Sequence, residues 1–63
     1  MGMLTVSIET DNDAFSGDAK YNELPRILRK IADTIEGGSL LGSHSLLDSN
    51  GNYVGEARYD EYN

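Results

Sequence analysis

The chain has 63 residues, no cysteine, and a formal charge of −6 from eleven acids against five bases. A chain of that length makes one domain, buries only roughly 60% of the surface its unfolded form exposes, and has little room for an enclosed ligand pocket. Disulfides, thiolate metal sites and cysteine catalysis are excluded, and the acidity disfavours direct binding to DNA, RNA or anionic lipid.

No apolar run approaches the ~20 residues of a membrane span, and the acidic N-terminal stretch lacks a signal-peptide pattern. With the lack of cysteine, these features are those expected of a cytoplasmic protein. Met1-Gly2 reads as a vector remnant ahead of a start at Met3. The domain is expected over residues 3–59, with an acidic tail over 60–63. Charge is uneven: residues 1–19 carry Glu9, Asp11, Asp13 and Asp18 and no base. Residues 20–36 hold four bases and three acids, and residues 37–63 four acids and one base.

In "MLTVSIET", Leu4, Val6 and Ile8 alternate with Thr5, Ser7 and Glu9, which predicts a strand with one buried face. The next stretch, through about Tyr21, shows neither period and is expected as a loop, pinned to the core by Phe15. "NELPRILRKIADTIEGG" is the clearest element. Leu24, Ile27, Leu28, Ile31 and Ile35 form one helical stripe, and Arg26, Arg29, Lys30, Asp33 and Glu36 fall opposite. Asn22 is the expected N-cap, Pro25 falls in the first turn, and Gly37 is expected to take the left-handed conformation that ends a helix.

"SLLGSHSLLDSNGNYVGEARY" predicts a hairpin. Asp48-Ser49-Asn50-Gly51 fits a type I turn with positive φ at Gly51, giving a three-residue loop that pairs Leu46 with Val54. Strict alternation from Val54 would bury Glu56 and Arg58. A bulge near Gly55 turns Ala57 and Tyr59 inward at lower desolvation cost, and is the favoured reading. The expected fold is therefore α+β, in the order β-α-β-β. The first and third strands are neighbours in a three-stranded antiparallel sheet, and one amphipathic helix covers one face. The face with Thr5, Ser7, Glu9, Ser43 and Ser45 is expected to be wet.

Little chemistry is encoded. A calcium loop from Asp11 fails at Phe15, Ser16 and Asn22, and one from Asp48 fails at Tyr53 and Tyr59. "GGSLLGSH" lacks the lysine and following helix of a phosphate loop. His44, the sole histidine, has only serines at fixed spacing nearby. No enzyme activity, cofactor or metal is expected. Lys20, Arg26, Arg29 and Lys30 are read as the solvated side of the helix more readily than as a binding patch.

The acids have the widest functional reach. Glu9, Asp11, Asp13, Asp18, Asp48, Glu56, Asp60 and Glu61 come from strand ends, loops and tail. Gathered on one side, they could stand in for the phosphates of a duplex and occupy a basic nucleic-acid channel. Plain solubility is the alternative. Tyr53, Tyr59 and Tyr62 lie among these acids as candidate interface anchors, Tyr59 being also a core candidate.

The stretches "DNDAF", "LRKIADTIEGG" and "DSNGNYVG" resemble those of a group of very short proteins encoded by phages, prophages and plasmids. The resemblance runs from Met3 to about Ala57, and the ending "YDEYN" departs from it. A phage protein this small and acidic is also similar to the anti-CRISPR inhibitors, several of which block type I surveillance complexes by imitating DNA. That resemblance implies a non-enzymatic inhibitor in the host bacterial cytoplasm. Its partner would be a basic DNA-handling surface of a CRISPR–Cas complex, with no direct nucleic-acid or membrane binding. It would be a monomer or weak homodimer. The alternative is a phage accessory interaction module whose acidity serves solubility.

Overall fold

A computed structural model describes residues 1–38 and 41–61. The elements run β1 (Gly2–Ile8), two 3-10 turns (Asp13–Phe15 and Gly17–Ala19), α1 (Lys20–Glu36), β2 (Gly42–Leu47) and β3 (Tyr53–Glu61). The strands form one antiparallel sheet in the order β1-β3-β2, so the expected α+β architecture stands.

The hairpin turn follows from its sequence. The Gly51 N–H donates to the Asp48 carbonyl at 3.0 Å, and the Asp48 N–H donates to the Asn52 carbonyl at 2.9 Å. Gly51 holds φ +84°, a conformation that residues with a side chain rarely adopt. The expected bulge is present, but it moves the register. Leu46 pairs with Gly55 and Leu47 with Tyr53, leaving Val54 as the extra residue, so Leu46 does not face Val54 directly. Both nevertheless reach the core, and Ala57 turns fully inward with Tyr59 half-buried beyond it. Ala57 is inside because the alternative would have buried two charges.

Two helix boundaries differ from expectation. Asn22 is not the N-cap: the second 3-10 turn runs directly into α1, which starts at Lys20 and leaves Pro25 inside the helix. The N–H that Pro25 lacks would have met the Tyr21 carbonyl, close enough to the start for the helix to absorb the loss. At the other end Gly37 stays right-handed at φ −77°, and Gly38 takes the positive φ of +87°. The expected tail also begins late. Asp60 and Glu61 are strand residues paired with Met3 and Gly2, so the ladder includes positions assigned to a remnant and a tail.

The core is smaller than the sequence pattern implies. It consists of Phe15, Ile27, Ile31, Leu46, Val54 and Ala57, flanked by Ile8, Ala14 and Leu24. Phe15 does pin the loop. Ile8, Val54 and Leu46 lie at the hairpin end of the sheet, and α1 packs there. Toward the other end the apolar stripes are uncovered: Leu4 is 45% exposed, Val6 37%, Leu28 49% and Ile35 37%. These four were expected inside. They are outside because one helix fastened at the hairpin end covers only part of a sheet in which β3 runs for nine residues. Leu4, Ile31, Ile35, His44 and Ala57 line an open cleft of about 540 Å³ between α1 and the sheet.

Candidate functional site

The fastening at the hairpin end is a polar network. The Glu23 carboxylate, on the first turn of α1, accepts from Arg26 Nε at 2.6 Å and from the Ser49 N–H at 2.6 Å. Arg26 Nη2 donates onward to the Leu47 carbonyl at 3.0 Å. Asp48 Oδ1 accepts from the N–H groups of Asn50 and Asn52 at 2.9 and 2.8 Å. Its Oδ2 accepts from Asn12 Nδ2 at 2.7 Å and Asn52 Nδ2 at 3.3 Å. Helix, hairpin loop and N-terminal loop are thereby tied at one point.

Both carboxyls are held below their ordinary pKa. For Glu23 the first cause is the Arg26 hydrogen bond, assisted by Ser49 and opposed by desolvation. For Asp48 it is the Asn52 N–H, opposed by desolvation and assisted by Asn50 and Asn12. Arg26 is correspondingly raised, first by its hydrogen bond to Glu23.

This network corrects one assignment and adds a residue. Asp48 was expected among the acids offered to a partner, but it is buried and its oxygens are occupied by four donors from the chain itself. Glu23 was missed. Its position was informative, since residues 23, 27 and 31 share one helical face and Arg26 stands three residues on.

The other acids fall into separate groups. Asp11, Asp13 and Asp18 are exposed on the loop between β1 and α1. Glu56 lies opposite Ser7 and Ser45, and Asp60 opposite Met3, on the sheet face turned away from the helix. Glu9, Tyr53, Glu56, Arg58 and Asp60 line a shallow trough there, with Thr5 and Ser7 as its floor. The face expected to be wet is wet. Arg58 Nε stands 3.2 Å from Asp60 Oδ2 and offsets part of that charge. Glu61, opposite Gly2, alternates to the helix side at the far end of the sheet. Glu9 and Glu61 are thus separated by roughly 20 Å of strand. Tyr62 lies outside the described residues.

The four bases do not form one patch. Arg26 is engaged by Glu23, and Lys20 lies over the Tyr21 ring with Nζ 5.5 Å from its centroid. Only Arg29 and Lys30 are adjacent and exposed. Among the described residues, no three acidic, histidine or cysteine side chains are grouped to hold a metal ion, and no helix is long and apolar enough to cross a membrane. His44 is half-buried on β2 opposite Ala57. No protein-family model, curated protein or solved structure matches the chain.

Proposed function

We propose that this chain is a non-enzymatic inhibitor from a phage or other mobile element. It docks its acidic outer sheet face and N-terminal loop on a basic, DNA-handling surface of a host CRISPR–Cas complex. The supporting observation is the distribution of carboxylates. Eleven acids less the buried Glu23 and Asp48 leave nine at the surface of a body 42 Å long and 19 by 17 Å across. Six of these nine, Glu9, Glu56 and Asp60 on the outer sheet face and Asp11, Asp13 and Asp18 on the loop, belong to the surface proposed to dock. Tyr53, 62% exposed at the trough's edge, is the candidate anchor.

Displacement of DNA from a purified type I surveillance complex tests this reading. The chain should compete with DNA at ~50 mM salt and lose most of that competition at ~200 mM. Combining Asp11→Asn, Asp13→Asn and Asp18→Asn should weaken competition measurably without unfolding the chain. A folded variant of that kind that still inhibits, at high salt and in excess DNA, would remove the proposal. The uncovered Leu4 and Val6 favour the second reading, an accessory interaction module whose acidity serves solubility.

A further inference from the structure

We infer that β1 pairs along its free edge with β1 of a second copy, joining two sheets into one six-stranded antiparallel sheet. This is independent of the inhibitor reading. Three observations meet on that edge.

The first is its unspent hydrogen-bonding capacity. Among the described residues no strand lies beyond β1. The Glu9 N–H donates to the Val54 carbonyl at 2.7 Å, so alternation turns the N–H groups of Thr5 and Ser7 toward β3. Those of Leu4, Val6 and Ile8 then line the open edge. Seven residues without lysine, proline or a bulge are an edge with none of the usual guards against pairing.

The second is uncovered apolar surface in continuity with that edge. Leu4 and Val6 are 45% and 37% exposed on the helix side, and Ile35 of α1, 37% exposed, lines the same cleft as Leu4. The radius of gyration is 12.5 Å, against about 10.6 Å for a compact domain of this length. The fold is less closed than its size allows.

The third is charge, which selects the occupant. Gly2–Ile8 contains no ionisable side chain in a chain of charge −6. Two such chains repel through their outer faces and loops, and this strip lets them approach without opposing like charges directly. Full antiparallel overlap centres the pair on Thr5 and sets Leu4 opposite Val6 of the second copy. A two-fold axis through Thr5 leaves both helices on one side and both acidic faces on the other. A seven-residue edge is only about 23 Å long. Its interface stays below the standard size of about 800 Å² per partner, so the pairing is reversible.

Sedimentation equilibrium across a concentration series is the test. The mass should rise from 6.9 kDa toward twice that value, and further at ~200 than at ~50 mM salt because screening relieves the repulsion. This salt dependence is opposite in sign to that of capture by a basic partner. Val6→Glu should hold the mass at 6.9 kDa, whereas Ser45→Glu on the β2 edge should not. Exchange of the Leu4, Val6 and Ile8 amides should slow as wild-type concentration rises, a readout that stands even if Val6→Glu fails to fold. A wild-type chain at 6.9 kDa up to about 1 mM, or those amides exchanging at one rate throughout, would overturn the pairing. So would a dimer that persists in folded Val6→Glu, which would put the contact elsewhere.

Discussion

Asp48 makes the folded state sensitive to acid. Its folded pKa is depressed, first by the Asn52 N–H, so the unfolded chain binds the proton more readily. The stability it contributes is therefore fully present above the unfolded value of about 4 and is lost as pH falls through the folded pKa. Glu23 acts in the same direction through Arg26 and Ser49. Thermal midpoints should hold steady from neutral pH to about 5 and then drop. Asp48→Asn, which cannot ionise, should melt lower at neutral pH and lose part of that drop. A wild-type midpoint unchanged between pH 5 and 2 would show the network contributes nothing. Gly55 sets a different limit: a Cβ there would run into the Ser7 carbonyl oxygen across the ladder. At Gly51 the same addition meets open space and suffers only from φ +84°. Gly51→Ala should cost about 1–2 kcal/mol, and Gly55→Ala more, because strand β1 must move. Equal losses in chemical denaturation would mean β1 gives way freely.

At the scale of elements, α1 should divide its apolar stripe in two. Ile31, 9% exposed, packs in the core, whereas Leu28, 49% exposed, faces outward three residues before it. Ile31→Ala should cost about 2–5 kcal/mol, and Leu28→Ala about 1 kcal/mol or less. Similar costs would place the helix differently on the sheet. This division shows where the sequence is readable. Period alone identifies a helix through 24–35 and a strand through 3–8, and Asp48 to Gly51 specify their turn by local backbone chemistry. The bulge near Gly55, which falls on Val54, was legible because the unbulged alternative buries Glu56 and Arg58. Coverage is not local. Leu4 and Val6 have the pattern of a buried face, but what lies over them depends on where α1 is fastened. Glu23 and Ser49 decide that across 26 residues of chain. The start at Lys20 was hidden for a related reason, since a 3-10 turn took the place of the expected Asn22 cap.

Across the whole molecule, the acids fall into two sets that composition cannot separate. Glu23 and Asp48 are spent on holding helix, hairpin and loop together; the other nine carboxylates remain at the surface. Composition gives the charge of −6, but only the register shows that Glu56 and Asp60 share a face with Glu9 while Glu61 does not. Asp11, Asp13 and Asp18 form a second group on the loop. If binding depends on the summed field, neutralising either group should weaken competition with DNA by a similar factor, because screened exposed charges act nearly additively. If one group meets the basic surface directly, its loss should dominate. Glu9→Gln with Glu56→Gln and Asp60→Asn should therefore be set against Asp11→Asn with Asp13→Asn and Asp18→Asn. Each triple removes three charges, so total charge cannot explain a difference. The trough also contains Tyr53, and its arrangement predicts the larger loss for the sheet-face triple. Competition measured at one low salt concentration, with folding checked by circular dichroism, decides the matter. Equal losses would leave the summed field as the mechanism; a larger loss from the loop triple would shift the contact surface to the β1–α1 loop.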